Sequence, residues 1–418
     1  MKNVSIALAG IIGCAFVQPA AAAEPGHFTE RVVYAFAGPP DGAKPEAGLV
    51  DVKGTLYGTT FYGGGTGCKR NGCGTVFSLD PDTGAETVLH AFAGRGKRPS
   101  SGLIDAEGRL YGTTVAGGAH HKGTVFSINR HTGTEKVLHS FCSQQNCTDG
   151  ANPGGSLIEV DGVLYGATAK GGDAGYGTVF ALDPATGAET VLYSFAGGTD
   201  GIHPNGGLVA VDGTLYGTTE GGGNKNYLCP DFGCGTVFAV DMGTGAETVL
   251  HSFAGEGTDT DGDFPRAGLI DVDGVLYGTT FYGGGTGCYG VGCGTVFTVD
   301  PGSGAETVIY SFLGGNRDGE FPEAGLIDVR GTLYGTTLYG GGKRGSIGGG
   351  TVFSLDPATG AEKVVHYFAF CTLQSCTDGD FPTAGLIEVK GTLYGTTSAG
   401  GGCYLSYGCG TVFALTKQ

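Results

Sequence analysis

The sequence predicts an all-β chain: a seven-bladed β-propeller of four-stranded antiparallel blades, closed by pairing of an N-terminal strand with the last blade. Three observations carry this. The phrase Leu-Tyr-Gly-Thr-Thr begins at Leu56, Leu110, Leu215, Leu276, Leu333 and Leu393, with the variant Leu-Tyr-Gly-Ala-Thr at Leu164. The phrase Gly-Thr-Val-Phe begins at Gly74, Gly123, Gly177, Gly235, Gly294, Gly350 and Gly410. The two ends of the chain hold complementary parts of one unit. Tandem units of roughly 40–50 residues or slightly more are the signature of propellers and related arrays.

One unit reads as four strands. Residues 268–272 are a short apolar run, and Asp273-Gly274 is a hairpin turn signal. Residues 275–280 form the second strand, and Gly283-Gly284-Gly285 opens a loop. Residues 294–300 form the third strand, and Pro301-Gly302-Ser303-Gly304 turns the chain. Residues 306–312 form the fourth, with Val308, Tyr310 and Phe312 on one side by the two-residue period. Helical periodicity is absent.

The ends predict closure. Residues 29–36 match the fourth strand of every unit, and residues 410–415 match a third strand. The last unit therefore lacks a fourth strand that the N-terminal segment supplies, and the exchange protects the edges.

Glycine is 86 of 418 residues, without the strict triplet period of collagen, and clusters at fixed offsets suited to tight turns. Net charge is −17, about −18 without Lys2. Such a surface is a poor partner for nucleic acid and favours solubility or cationic partners.

Residues 1–23 read as an export signal and residues 24–418 as the propeller. A basic start at Lys2 precedes an apolar run over residues 4–17, too short for a typical membrane span, and small residues before Ala22 and Ala23. Ile11-Ile12-Gly13-Cys14 also resembles a lipoprotein cleavage box, which would leave Cys14 lipidated. The remaining twelve cysteines fall into six local pairs: Cys68/Cys73, Cys142/Cys147, Cys229/Cys234, Cys288/Cys293, Cys371/Cys376 and Cys403/Cys409. Even, local pairing without accompanying histidines reads as disulfides of an oxidising compartment rather than zinc sites. The localisation expected is secreted, periplasmic or cell-surface.

The order apolar strand, Leu-Tyr strand, Gly-Gly, Val-Phe-x-Leu-Asp-Pro-x-Thr-Gly, final strand resembles a kelch-type propeller repeat, although the sequence has no Trp. It is more similar to the GloVer-type tandem repeat of secreted bacterial proteins, over residues 29 to 415. That resemblance implies export and a propeller, and it carries over no catalytic motif.

In such a blade, second-to-third loops share one face with the connections between blades. All six cysteine pairs and the variable loops fall on that face, where binding residues concentrate. Tyr62, Tyr282 and Tyr339 follow second strands, and Tyr227, Tyr289 and Tyr404 sit in cysteine-bounded loops. They are the candidate ligand-binding residues, suited to stacking on sugars or to protein contact, or else they pack the loop bases. Asp-Gly recurs between blades and expands to Asp259-Thr260-Asp261-Gly262-Asp263. Asp259, Asp261 and Asp263 are candidate calcium ligands, although a repeated Asp-Gly also marks a shared turn. His90, His139, His251 and His366 alternate with Tyr34, Tyr193 and Tyr310 at one fourth-strand position. That tolerance points to packing plus a hydrogen bond rather than acid–base chemistry. His120, His121, Lys170, His203 and Glu220 break the repeat, and no axial cluster of charges is evident.

The leading functional reading is an exported binding module for an extracellular glycan or protein, monomeric, with no nucleic acid partner. The alternatives are a carbohydrate-active enzyme, a polysaccharide lyase or glycoside hydrolase, and a structural cell-envelope protein.

Overall fold

The computed structural model describes residues 27–65, 68, 71–93, 97–225, 229–254, 261–342, 348–370, 378–403 and 408–418. The expected signal with Cys14, and Tyr227, Asp259, Cys371, Cys376 and Tyr404, lie outside these residues.

Seven antiparallel blades of four strands follow one another, and in the third a further short strand, Ala151–Pro153, also pairs with the second strand. The first blade runs Val50–Val52, Thr55–Thr60, Thr75–Leu79 and Glu86–Ala91 from inside to outside. The seventh runs Ile387–Val389, Thr392–Thr397 and Thr411–Lys417, and its outer strand is Phe28–Ala35. Arg31 faces Ala414 and Ala35 faces Thr411 in that pair, and Phe36 N–H donates to Gly410 O at 3.0 Å. The chain closes as the terminal phrases predict.

Each repeated phrase has a physical reason. The Gly of Leu-Tyr-Gly admits an aromatic ring: a Cβ on Gly58 would lie 2.6 Å from Phe77 Cζ. The last Thr of the same phrase shares a buried hydrogen bond with the Thr of Gly-Thr-Val-Phe. Those seven pairs lie at 2.7–2.9 Å. The Val-Phe side chains build seams rather than one central core. Seven apolar clusters each join two adjacent blades, and the closing seam joins Val412 and Ala414 to Leu56 and Phe77. At every seam a Phe just past the fourth strand meets the next blade's third-strand Phe edge-on. The ring centroids lie 5.0–5.2 Å apart.

The fourth strand departs from simple alternation. Phe297 faces Val308 but Val296 faces Tyr310, so Ile309 is an extra residue in the ladder. The same bulge occurs in all seven blades. It lets both Ile309 and Tyr310 pack into the seam with the sixth blade, which strict two-residue alternation forbids.

Short two-stranded ribbons tie four of the connections between blades to the loop after the second strand. Gly42–Ala43 pairs with Tyr62–Gly63, and Gly262–Asp263 with Tyr282–Gly283. The variable loops therefore share one face. Nearest-neighbour disulfides form at Cys68–Cys73, Cys142–Cys147, Cys229–Cys234, Cys288–Cys293 and Cys403–Cys409. No helix among the described residues is long and apolar enough to cross a membrane.

Candidate functional site

The connections between blades share one build, and its variable positions surround the axis. Before each first strand comes a left-handed residue, then Pro, then a residue that the repeat leaves free. The left-handed positions are Lys44, Arg98, Asn152, His203, Phe264, Phe321 and Phe381, with φ between 52° and 95°. A non-glycine residue there costs of order 1–3 kcal/mol and persists only where neighbours over-determine it. They do so here. Each N–H donates to a carbonyl preceding the third strand of the previous blade, and the cysteines Cys73, Cys234, Cys293 and Cys409 supply four of these. Lys44 O in turn accepts from Phe61 N–H at 2.9 Å, and five other blades repeat this bond. The disulfide loops thus brace the ring of residues around the mouth.

The positions after Pro are Glu46, Ser100, Gly154, Asn205, Arg266, Glu323 and Thr383. Glu46, Ser100, Arg266, Glu323 and Thr383, from five different blades, line one cavity of about 350 Å³. Arg266 organises it. Its Nε donates to Glu220 Oε1 at 3.1 Å and its Nη1 to Glu323 Oε1 at 3.0 Å. Asn205 Nδ2 donates to Glu220 Oε2 at 3.0 Å. The guanidinium lies 3.9 Å from the centroid of the Phe281 ring. Burial pushes the Glu323 carboxyl above its ordinary range, against the pull of Arg266. Burial also raises Glu46, with Lys44 opposing and Glu323 adding. Thr383 Oγ1 is buried without a hydrogen-bond partner among the described residues.

The axis therefore does carry non-repeated charges, contrary to the sequence reading. The signal was present: on both sides of each inter-blade Pro the residue varies, and after it Glu, Ser, Gly, Asn, Arg and Thr interchange. Of the repeat-breaking residues, His203, Lys170 and Glu220 do belong together. Burial lowers the His203 pKa, Glu220 pulls it up and Lys170 pushes it down. His120 and His121 are exposed on the second-to-third loop of the second blade.

Two candidate tyrosines, Tyr282 and Tyr339, belong to an aromatic arc that reaches the cavity residue Arg266 through Phe281, and Tyr62 stands apart from it. Tyr282 meets Phe264, Phe281 and Phe321 edge-on, at 5.9, 4.7 and 5.3 Å. Tyr339 meets Phe321 and Phe381 at 6.1 and 5.3 Å. Tyr62 packs on Phe61, with the Arg98 guanidinium 5.9 Å from its centroid. All three are half-buried, whereas Tyr289 is 92% exposed in the Cys288–Cys293 loop.

The recurring Asp and the His/Tyr position form one motif at the outer seams. Tyr34, Tyr193 and Tyr310 donate their hydroxyls to Asp41, Asp200 and Asp318 at 2.9–3.0 Å. His139 and His251 approach Asp149 and Asp261 at 3.3 and 3.6 Å. The Asp carboxylates also cap the turns: Asp261 accepts from Ala254 and Gly262 N–H. A Glu from the next blade completes the seam. Burial and the neighbouring Asp push Glu30, Glu86, Glu189, Glu247, Glu306 and Glu362 up to about 7.

His251, Asp261 and Glu306 place their ligand atoms within 4.8 Å of one another, a set that could hold a metal ion. This set includes one imidazole and only one of the three aspartates suggested for calcium. Asp263 is 1% exposed, and burial followed by Asp261 raises it to about 7. A larger groove of about 720 Å³ follows the outer strand Glu189–Ser194, walled largely by repeated strand residues.

Solved propellers resemble this chain in fold. The oligogalacturonate lyase of Vibrio parahaemolyticus aligns with a TM-score of 0.56 and 10% identity, covering 94% of this chain and 97% of that one. An oligogalacturonate lyase in complex with manganese gives 0.54 and 11%, over 94% and 98%. A europium-containing methanol dehydrogenase gives 0.53 and 12%, over 93% of each chain. No curated protein matches. The family model of the Gloeobacter/Verrucomicrobia repeat matches residues 22–229 and 229–418, and the chain belongs to that family.

Proposed function

We propose that this protein is an exported binding module that takes an extracellular glycan at its axial mouth. One observation carries the reading: polar side chains from five blades converge on a single cavity beside an aromatic arc. Pockets of a few hundred cubic ångströms with a few convergent polar groups are the usual form of small-ligand sites. Sugars suit this lining, because their hydroxyls bond carboxylates while their C–H faces stack on rings. Tyr62, Tyr282 and Tyr339 would flank the ligand. Export is supported by the signal-like residues 1–23 and the disulfides.

A glycan array probed with the purified chain tests this. The expected result is a defined set of bound glycans whose signal falls in Arg266→Met and in Tyr282→Ala variants of unchanged melting temperature. Absence of any bound glycan, or binding indifferent to both changes, overturns it.

The enzyme reading has one specific support. Glu46 and Glu323 are carboxyls raised by burial, as groups that move protons at neutral pH must be. A lyase or hydrolase activity on a polysaccharide, lost in Glu46→Gln, would favour that reading over binding alone. Calcium at Asp261 and Asp263 remains the cofactor proposal on the outer rim.

A further inference from the structure

Resting on the glycan reading, we infer that the axial cavity selects a sugar carrying a free amino group over neutral or acidic sugars. The lining has two carboxyls, Glu46 and Glu323, against one guanidinium. Arg266 is already engaged, donating to Glu323 and to Glu220 outside the lining. A ligand carboxylate could use only the Arg266 N–H donors that these bonds leave, and it would face the Glu46 and Glu323 carboxyls. An ammonium meets the opposite situation.

Carboxyls outnumber cations in the cavity lining. Glu46 makes no hydrogen bond to any described residue, and Glu323 Oε2 receives none. Thr383 Oγ1 is buried and has no hydrogen-bond partner among the described residues. The half-buried Glu46 and Glu323 carboxyls and the buried Thr383 hydroxyl can all accept from a donor-rich ligand. A protonated amine brings three N–H donors together with the charge that balances the lining.

The aromatic arc adds to this selection independently. Phe281 lies against the Arg266 guanidinium and stacks on Phe321, and the half-buried Tyr282 packs on both rings. Ring faces attract cations and sugar C–H faces, and repel anions. The chain's net charge of −17 raises the local concentration of cationic ligands further.

The experiment is calorimetric titration of the purified full chain with three matched oligosaccharides: a glucosamine oligomer, its N-acetylated counterpart and an oligogalacturonate. A linear diamine is the fourth ligand. The expected result is that the free-amine oligomer binds about tenfold or more tightly than the acetylated one, with no binding of the acidic one. Glu46→Gln should cut that preference severalfold, while Glu306→Gln on the outer rim leaves it unchanged. Equal or tighter binding of the acetylated or acidic oligomer overturns the charge selection and leaves the glycan reading standing. A diamine that binds as tightly as the amino sugar overturns the sugar half. If no oligosaccharide binds, this inference and the glycan reading fall together.

Discussion

Phe36 and Phe77 meet edge to face, with centroids 5.2 Å and planes 69° apart. One follows the first strand in the sequence, which is the outermost strand of the seventh blade. The other sits in the first blade. The contact is the ring's closing seam, and both rings are fully buried. Phe36→Ala should cost about 3–5 kcal/mol, the usual range for a buried Phe. Chemical denaturation checks this, with Phe195→Ala at an internal seam as the reference. A much smaller loss at Phe36 would mean that the closing seam is not a full seam.

The seam carboxyls set a pH dependence. Glu30, Glu86, Glu189, Glu247, Glu306 and Glu362 are raised to about 7 from 4.5. A raised acid holds its proton better folded than unfolded. Its stabilisation is full below pH 4.5 and is lost as pH rises through about 7. His366, lowered by burial to about 4, acts in the opposite sense: its contribution is present above 6.5 and lost as pH falls. Six groups outweigh it, so the melting temperature should be higher at about pH 5.5 than at pH 8. A flat or reversed profile would contradict the seam picture. Glu306→Gln should raise stability at pH 8 and flatten the slope.

The seam between the first and second blades is the internal control. It lacks the turn Asp, and Lys97 Nζ sits 2.8 Å from Glu135 instead. Burial raises Glu135, but hydrogen bonds from His90 and Lys97 outweigh it and hold the carboxyl below its ordinary value. Glu135→Gln should therefore destabilise at pH 8, by about 1–3 kcal/mol, as a half-buried ammonium loses its partner. The opposite signs at Glu135 and Glu306, measured in one buffer, test both assignments.

A divalent ion at His251, Asp261 and Glu306 should raise the melting temperature by mass action. The imidazole makes zinc the stronger probe and calcium the weaker. Glu306→Gln leaves the Asp261 turn bonds in place, so it should remove the shift without removing the fold. A shift that persists in Glu306→Gln places the ion elsewhere.

Peptide mapping without reduction should recover Cys371–Cys376 alongside the five described pairs. Each short loop should contribute roughly 2 kcal/mol in the chain-entropy model. Any bond between blades would refute the pairing.

Much of this architecture is legible in the sequence because it is repetitive. Leu56, Gly58, Thr60, Val76 and Phe77 recur for one reason at every seam, so period and phase determine blade number and closure. What repeats weakly is harder to read. Arg266 and Glu323 converge only because the ring brings distant segments to one axis, and their position after Pro is noise within any single unit. Glu306 looks like a solvent-facing strand residue until the preceding blade's Asp261 is packed against it. The bulge at Ile309 leaves no mark in composition, because Leu, Ile and Val fill that position like any other apolar site.

The pairing of Phe28 with Lys417 and Ala35 with Thr411 has a temporal meaning. Synthesis is directional, so residues 28–35 emerge early and meet their partner strand last. Until residue 411 has appeared, six complete blades exist with an open arc. The first strand then waits as an unsatisfied edge through nearly the whole life of the nascent chain. Folding of this protein is thus gated by its own length, and any truncation upstream of residue 411 should yield an arc that never becomes a ring.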